Sequence, residues 1–364
     1  MLSARACLLA CLLLLLPLAA AAQPAMSGFE MVQVADGVYA AVRTEPLARQ
    51  VDGNSIVIVN DADVVVVDAN ITPSSARSVL AEIRKLTDKP VRYVINTHWH
   101  DDHTFGNMVY QEAFPQVEFI AHAKTREGIL NGAAANLKGK KEYYPGALAD
   151  IEKRLAAGKD REGKPLTDDA RKELTELAAL FKNLVPELEA TRLVPSTLTV
   201  DREMTLYRGS RVIRLLHLGR GNTEGDLVIH LPQEKVLITG DLLVYPIPFS
   251  FGSYLGEWID TLGKLRALEA DTIIPGHGPV QKNREYLDTV VSLLKSTLQQ
   301  AQEAVKKGLS LDETRKAVDL ESFRAKLAGD DPVRNKAFID YFVTPAVERA
   351  YKEAKGELAS QPAP

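Results

Sequence analysis

Two groups of short, strongly apolar runs constrain the fold of this chain more than any other feature of its sequence. The first group lies between residues 37 and 121 and the second between residues 197 and 276, and Val, Ile and Leu dominate the runs. Runs of four to seven such residues, bounded by turn-forming residues, are typical of buried β-strands. Helical periodicity interrupts both groups, at 74–86 and at 256–270. Two strand-rich halves that each carry helices predict an α/β sandwich.

The segment between the two groups has helical rather than strand periodicity. Residues 125–195 are rich in Lys, Glu, Ala and Leu, with apolar side chains at helical spacing. Turn-forming residues at 143–146 and 158–164 predict loops within this segment. A polar helical pattern returns near the C-terminus. The sequence therefore predicts one sandwich domain with a helical insertion and a helical C-terminal extension, divided as 23–124 (first half), 125–195 (insertion), 196–284 (second half) and 285–364 (extension).

The first residues have the pattern of a secretory signal peptide. One positive charge precedes an apolar run from Ala6 to Ala22, which ends in small residues. The run contains a proline and no basic stop-transfer cluster follows it, which disfavours a membrane anchor. We therefore expect residues 1–22 to be removed and the mature protein to be secreted or periplasmic, with no stable membrane anchor. Lipidation at Cys11 is the alternative, although the apolar run continues well past that residue.

Cysteine and charge counts exclude several kinds of site. Both cysteines, Cys7 and Cys11, lie in the signal-like segment, so the mature chain would have neither disulfides nor thiolate metal ligands. The formal charge is only −4, from 44 basic and 48 acidic residues. Without a basic excess or a basic stripe with interleaved aromatic residues, a nucleic-acid partner is not expected. A small-molecule substrate fits this composition better, and the sequence leaves the oligomeric state open.

A cluster of metal-ligand residues follows the apolar run VRYVINT. Residues 98–103 read His-Trp-His-Asp-Asp-His and hold three of the seven histidines of the chain. Imidazole and carboxylate are ligands that zinc accepts. His98 and His100 point to the same side of an extended segment, so one metal ion can bind both. Asp102 and His103 can then bind a second ion a few ångströms away. A polar surface loop is the alternative, but it does not explain so many ligand groups at the end of an apolar strand.

The motif His98-x-His100-x-Asp102-His103 resembles the metal motif of the metallo-β-lactamase superfamily. The resemblance extends over about residues 37–280 and omits the helical insertion. It implies a four-layer αββα sandwich that binds one or two metal ions at the edge between its sheets.

Three further positions follow the order of motifs in that family. ITGD ends at Asp241, IPGHG contains His277, and VVVVDA contains Asp68. The resemblance is to the glyoxalase II-like branch, and it implies that Asp241 bridges two metal ions and that His277 is the last histidine ligand. It also implies that Asp68 orients a metal ligand by a hydrogen bond and does not bind the metal itself. Thr97 is a second candidate for such support, because its oxygen can accept the free ring N–H of a histidine ligand. A strand-terminating turn is the alternative role for Asp68.

One position departs from the pattern of the family. The stretch LGRGNTEGDL resembles the element that carries the third histidine ligand, but Asn222 stands in the place of that histidine. An amide oxygen is a weaker zinc ligand than imidazole. We therefore expect one tight zinc ion and a second that is weak or absent, with iron or manganese as alternatives to zinc. The first site would hold His98, His100 and a share of Asp241, and the second would hold Asp102, His103, His277 and Asp241.

These ligands predict a hydrolase. Zinc lowers the pKa of bound water to about 7, and Asp102 and Asp241 would hold and deprotonate that water as the catalytic carboxylates. Aromatic residues follow the Asp241 run, and Tyr245, Phe249 and Tyr254 are the candidates for a substrate wall. The expected substrate is a small ester, lactone or amide.

Three other functions stay open at this point. A β-lactamase suits the predicted secretion, but those enzymes generally lack the aspartate that Asp241 provides. An iron-dependent sulfur dioxygenase uses the same fold but needs the histidine that Asn222 replaces. A degenerate metal- or ligand-binding protein would follow if Asn222 had disabled the first site.

Overall fold

The computed structural model describes residues 28–43 and 52–358 of the chain. The predicted signal segment 1–22, with Cys7 and Cys11, therefore lies outside the described residues. Within the described residues, the strands form two sheets that face each other, and helices cover the outer faces.

The first sheet has seven strands in the order of the sequence. They are β1 (Phe29–Ala35), β2 (Val38–Arg43), β3 (Ser55–Val59), β4 (Val64–Val67), β5 (Val91–Ile95), β6 (Glu118–His122) and β7 (Leu198–Val200). The strands β1 to β4 pair antiparallel, whereas β4 to β7 pair in parallel. The strand β1 precedes the first run that the sequence predicted.

The second sheet has five strands in the order β12-β11-β10-β9-β8. They are β8 (Glu203–Arg208), β9 (Arg211–Leu216), β10 (Val228–Leu231), β11 (Val236–Val244) and β12 (Thr272–His277). The strands β11 and β12 pair in parallel, and the other neighbours pair antiparallel. Each sheet thus has parallel strands whose carboxyl ends lie at one edge.

The helices connect the strands and form the insertion and the extension. The α-helices are α1 (Pro73–Leu86), α2 (Asp101–Thr104), α3 (Asn107–Ala113), α4 (Ala123–Gly128), α5 (Ala134–Ala157), α6 (Asp168–Ala190), α7 (Leu255–Ala267), α8 (Glu285–Lys306), α9 (Leu311–Ala317), α10 (Glu321–Leu327), α11 (Pro332–Ala337) and α12 (Thr344–Ala354). Two π-helical turns, π1 (Ile129–Ala133) and π2 (Phe338–Val343), join α4 to α5 and α11 to α12. None of the helices in the described residues is long and apolar enough to cross a membrane.

Three apolar cores separate four layers. The central core lies between the sheets, with Ile56 and Ile95 from the first sheet and Ile229 and Ile238 from the second. A second core lies beneath α1 and α3. A third lies beneath α7 and α8 and continues into the C-terminal helices. The predicted αββα sandwich with a helical C-terminal extension is confirmed.

The helix α1 shows how local sequence builds an outer layer. The Thr72 side chain accepts a hydrogen bond from the Ser75 amide, and Pro73 occupies the first turn, where no intrahelical donor is needed. Val79 and Ile83, four residues apart on the inner face, are 0% and 1% exposed. The helix therefore begins at a defined cap and buries one stripe against the sheet.

The helices α5 and α6 form a hairpin, and the loop predicted at 158–164 lies in its connection. The loop predicted at 143–146 is wrong, because Tyr144 and Pro145 lie inside α5. The ring of Tyr144 packs against Phe181 of α6, with 4.8 Å between ring centroids. This packing between helices outweighs the local turn preference of Pro-Gly.

Candidate metal centre

The candidate ligands lie where the carboxyl ends of the parallel strands of both sheets meet. His98 and His100 follow β5, and His100 is the N-terminal cap residue of the short helix α2, which carries the next ligands. Asp241 lies in β11, and His277 ends β12. Asn54 ties the two sheets together here, since its side-chain amide donates to the carbonyl oxygens of residues 275 and 278. Such strand ends are common ligand sites in α/β proteins.

The first group of ligand atoms comes from His98, His100 and Asp241. The Nε2 atom of His98 lies 3.0 Å from Nδ1 of His100 and 3.6 Å from Oδ2 of Asp241. The predicted pairing of the two histidines on one side of the loop is therefore what the structure shows.

The second group comes from Asp102, His103 and His277. The Nε2 atoms of His103 and His277 lie 3.3 Å apart, and Oδ2 of Asp102 lies 3.0 Å from Nε2 of His277. The Oδ1 atom of Asp241 lies 3.3 Å from each of these two ring nitrogens. Asp241 thus turns one carboxylate oxygen towards each group, as a bridging ligand requires.

The donor atoms fit metal ions. Two nitrogen ligands at about 2.05 Å in a tetrahedral zinc site lie about 3.3 Å apart, close to the separations found within each group. The Oδ1 atom of Asp241 is buried and accepts no hydrogen bond from the described residues. A buried carboxylate oxygen without a donor is costly unless a cation neutralises it. Both groups therefore suit a cation held by imidazole and carboxylate.

Hydrogen bonds behind the ligands fix their orientation. Asp68 accepts from the amide of Thr97 at 2.8 Å and from its hydroxyl at 2.7 Å, and it lies 2.8 Å from Nδ1 of His103. The Thr97 hydroxyl oxygen lies 3.0 Å from Nδ1 of His98. In this arrangement His98 donates its Nδ1 proton to Thr97 and His103 donates its own to Asp68. The Nε2 atom of each ring then faces the other candidate ligands of its group. Asp68 and Thr97 lie where the sequence predicted support for the ligands.

Burial and neighbouring charge set the protonation of the centre. Burial, with His103 nearby, holds the pKa of His98 well below its usual value. Burial alone would raise the pKa of Asp102, but His103 and His277 beside it hold that pKa well below its usual range. Asp241 behaves in the same way, because nearby histidines outweigh its burial and lower its pKa. Both carboxylates are therefore ionised and available as ligands at neutral pH.

Asn222 lies in the loop between β9 and β10 and is 1% exposed. Its side-chain nitrogen donates to the carbonyl oxygen of Phe249 at 2.8 Å, whereas its Oδ1 atom is buried without a donor in the described residues. The amide nitrogen is thus engaged elsewhere, and the oxygen is the atom left to face a cation or water. His217 does not replace the missing histidine: its ring stacks on His122, and its Nδ1 atom bonds to a backbone carbonyl.

A cavity of about 520 Å³ opens over the ligands. His100, Asp102 and Asp241 line it together with side chains from the insertion and the extension. The contributions from outside the sandwich are Asn136, Lys140, Tyr144, Leu184 and Leu188 of the insertion and Tyr341 of π2. Sequence periodicity placed Leu184 on a helix and the turn signals put Tyr144 in a loop, but neither gave a signal that these residues face a metal centre.

The three predicted wall residues have different positions. Phe249 lines this cavity, and its ring centroid lies 5.3 Å from that of His277. Tyr254 lines a second cavity of about 310 Å³, which also contacts His100 and Asn222. Tyr245 is not among the residues that line either cavity, and it packs against Tyr286, which is buried in the third core. The prediction for Tyr245 is wrong because an aromatic side chain after a strand suits a core as well as a wall.

Trp99 lies between the two histidines of the first group in the sequence, and its indole ring packs against the backbone at two glycines. A Cβ atom on Gly128 would lie 2.4 Å from Cγ of Trp99, and one on Gly132 would lie 2.8 Å from Cζ3. The indole therefore rests directly on the backbone of α4 and π1. Trp99 and His100 line both cavities, so the packed indole ring lies between the two cavities.

The chain matches known proteins over most of its sandwich. Residues 48–277 match the family model described as the metallo-beta-lactamase superfamily. A curated relative, the linear primary-alkylsulfatase of Pseudomonas sp. (strain ATCC 19151), is 26% identical over 267 residues. The match covers 70% of this chain and 48% of the relative, so the chain spans about half the length of that protein.

Solved structures share the fold at low sequence identity. The stereoselective inverting sec-alkylsulfatase Pisa1 from Pseudomonas sp. superposes with a TM-score of 0.60 at 19% identity, over 89% of this chain and 50% of its own. A metallo-beta-lactamase from Pontibacter korlensis gives a TM-score of 0.50 at 19% identity, over 73% of this chain and 99% of its own. The family model, the order of the metal-binding motifs and the four-layer fold together show that the chain belongs to the metallo-beta-lactamase superfamily.

Proposed function

We propose that this protein is a metal-dependent hydrolase, with zinc as its metal, that acts on a small ester, lactone or amide. The observation that carries the proposal is the position of Asp241 between two histidine groups, with one carboxylate oxygen towards each. The cavity of about 520 Å³ gives a substrate access to both groups. The signal-like pattern of residues 1–22 supports action outside the cytoplasm.

The residues around the centre suit hydrolysis. Zinc held by these histidines and carboxylates would lower the pKa of bound water to about 7 and would polarise the bond under attack. Asp102 and Asp241 are ionised, line the cavity and can accept a proton from the attacking water. Asp68 keeps the Nε2 atom of His103 directed at the second group. The chain thus supplies both the base and fixed ligands.

A sulfate ester of a primary alcohol is a second candidate substrate. The curated relative is a linear primary-alkylsulfatase, and its similarity extends over 70% of this chain. Because the chain spans about half of that relative, the whole activity of the relative is not carried over with the similarity.

The other candidate functions have less support. Asp241 disfavours a β-lactamase, since its carboxylate lies between the groups where those enzymes generally lack one. Asn222 disfavours a sulfur dioxygenase, because it withholds a histidine from the first group. The preserved second group and its supporting hydrogen bonds disfavour a degenerate binding protein.

A hydrolysis panel with metal analysis tests the proposal. The purified mature protein would be assayed on a carboxylic ester, a lactone, a thioester, an amide, a primary alkyl sulfate and a cephalosporin, with zinc, iron and manganese measured in the same preparation. We expect hydrolysis of at least one ester or amide and at least one bound metal ion per chain. Metal-loaded protein that hydrolyses no member of the panel would contradict the proposal.

Variants separate the metal centre from the rest of the fold. Asp241→Asn should lower kcat/KM by more than the roughly 10- to 100-fold typical of residues that only support a ligand. Asp271→Asn is the matched control, because this exposed residue lies at the opposite end of β12 from His277. An equal loss in both variants would show that the effect is not specific to the centre.

A further inference from the structure

We propose that the cavity over the metal ligands binds an extended apolar group of the substrate, so that the enzyme prefers esters with medium-length alkyl or acyl chains over short ones. The inference rests on the proposed hydrolase function and names the substrate class for that site. It comes from the side chains that the insertion and the extension place beside the ligands.

Most of the cavity wall is apolar. The side chains that provide this surface are Ile71, Trp99, Tyr144, Leu184, Leu188, Phe249, Phe251 and Tyr341. Pockets for small molecules are usually concave, mostly apolar and roughly 300–1,000 Å³ in volume, and this one has about 520 Å³. The size and the lining therefore suit an apolar group larger than a methyl or ethyl.

The aromatic part of the wall begins at a metal ligand and continues away from it. The ring of Phe249 lies 5.3 Å from that of His277 and 5.1 Å from that of Tyr341. Phe251 follows, with its centroid 5.7 Å from Tyr341, and it is 55% exposed. A substrate whose reacting bond lies at the ligands would thus place its chain along this row, and the outermost ring has apolar surface left to cover.

The charged side chains of the cavity wall do not favour a substrate whose extended group carries a charge. Lys140 lines the cavity, but its Nζ atom lies 2.5 Å from Oδ2 of Asp101, and the Oδ1 atom of Asp101 accepts a hydrogen bond from the side-chain nitrogen of Asn136 at 3.4 Å. The carboxylates of Asp102 and Asp241 belong to the metal groups. Among the described lining residues away from the candidate ligands, the charged side chains are therefore paired with each other, and the rest of the wall is mostly apolar.

The wall is held in place before any substrate arrives. The Ser250 amide donates to the carbonyl oxygen of Tyr341 at 3.0 Å, and its hydroxyl donates to that of Phe342 at 3.0 Å. These bonds fix π2 of the extension against the loop that carries Phe249 and Phe251. A preformed apolar surface adds binding energy without a cost for ordering it.

A chain-length series tests the inference. The zinc-loaded mature protein would be assayed with p-nitrophenyl esters from acetate to decanoate, kept below their aggregation concentrations. We expect kcat/KM to rise with chain length, by up to about fourfold for each methylene group that becomes buried. Values that stay flat or fall along the series would overturn the inference.

Wall variants show whether this cavity causes the rise. Phe251→Ala and Tyr341→Ala should each lower the ratio of decanoate to acetate kcat/KM at least several-fold, whereas Tyr341→Phe should keep it. Tyr207→Ala is the control, because this tyrosine of β8 is 72% exposed and belongs to neither cavity wall. Wild-type ratios in both wall variants, with unchanged melting temperatures, would assign the preference to another surface.

A binding measurement keeps this inference separable from the proposed function. Acetate, hexanoate and decanoate share a carboxylate and differ only in their chain, so calorimetric titration of the metal-loaded protein isolates the contribution of the chain. If no member of the hydrolysis panel is hydrolysed but decanoate binds at least tenfold more tightly than acetate, the hydrolase proposal fails and the apolar site stands. If esters are hydrolysed and the two ligands bind equally, the apolar site fails and the hydrolase proposal stands.

Discussion

Asn222 stands where the family resemblance implies a histidine ligand, but an amide side chain lacks the metal-binding chemistry of imidazole. Its amide nitrogen is engaged by the carbonyl of Phe249, which leaves the neutral Oδ1 atom as the available donor. The first group then has His98, His100 and Asp241, whereas the second has Asp102, His103 and His277 with the Oδ1 atom of Asp241 beside them. We therefore expect the first group to bind a metal ion more weakly than the second.

Replacing Asn222 with histidine should restore the first site. We expect Asn222→His to raise the metal content towards two ions per chain, because imidazole is a stronger zinc ligand than an amide. Elemental analysis after dialysis against a weak chelator measures the change, with Asn222→Ala as the control. An unchanged metal content would mean that another group completes the site, and Glu224, which lines the same cavity as His100 and Asn222, would be the first to test.

His122 should make the protein sensitive to acid. Burial, together with the stacked ring of His217, lowers the pKa of His122 to about 4. The unfolded value is about 6.5, so the unfolded chain binds more protons between these two pH values. The free energy of unfolding therefore falls as the pH drops through this window.

The variant His122→Asn tests this sensitivity, because asparagine keeps an acceptor for the amide of Lys124 and does not titrate. Urea unfolding of chelator-treated protein at about pH 7 and about pH 5 should show a smaller loss of stability in the variant than in wild type. Equal losses would show that His122 does not titrate in this range.

At the scale of single residues, the candidate ligands were easier to recognise in the sequence than the residues that line the cavity. The candidate ligands lie in one short loop and at two strand ends, and their side-chain chemistry makes them candidates without a structure. The wall residues Leu188 and Tyr341 are ordinary members of helical patterns, and only the packing of distant segments brings them to the cavity. Tyr245 shows the reverse case, since its chemistry suited a wall but its packing placed it in a core.

At the scale of elements, α4 and π1 form a platform for the metal loop. Trp99 lies directly on the backbone at Gly128 and Gly132, one residue away from both His98 and His100. The insertion therefore contacts the loop that carries His98 and His100. A shift of α4 or π1 would move Trp99 and, with it, the two neighbouring imidazole rings.

Alanine at the platform should be destabilising even though it favours helices elsewhere. Gly128 has φ −60°, which alanine adopts readily, so the expected loss comes from the Cβ atom that would lie 2.4 Å from Trp99. We expect Gly128→Ala to lower the melting temperature, to reduce the bound metal and to shift the tryptophan emission, since the chain has only Trp99 and the fully buried Trp258.

Gly139→Ala is the matched control for this prediction. Gly139 lies in α5, and no atom lies within 4 Å of where its Cβ would be. Alanine there should stabilise the helix by up to about 1 kcal/mol. If both variants gain stability, the platform does not constrain Trp99.

Strand and helix patterns predicted most elements because burial imposes a period on the sequence. The runs between residues 37 and 121 and between 197 and 276 became strands of two sheets. The loop predicted at 143–146 failed because turn residues report local preference, and the contact of Tyr144 with Phe181 is not local.

At the scale of the whole molecule, the centre joins the two sheets. One sheet supplies the ligands after β5, and the other supplies Asp241 and His277. Metal ions bound to both sheets would stabilise the folded chain, because the unfolded chain does not hold the candidate ligands together.

Metal removal should therefore lower stability as well as activity. A metal ion present at about 100 times its dissociation constant contributes about 2.7 kcal/mol, which corresponds to a shift of roughly 4 °C in the melting temperature of a domain of this size. Differential scanning calorimetry with and without a chelator measures the shift. Asp241→Asn should show a much smaller one, and a full-sized shift in that variant would locate the stabilising metal elsewhere.

The π-helical turn π2 carries the wall residue Tyr341 and none of the candidate metal ligands. A π-helical turn holds one residue more than an α-helical turn, so deletion of a single residue would convert it to an α-helix. Such a deletion in π2 would remove the widened turn that holds Tyr341 and would change where this side chain meets the cavity wall. The metal ligands lie in other elements and would keep their places. We therefore expect deletion of one residue in π2 to change the chain-length preference of the protein more than its metal content.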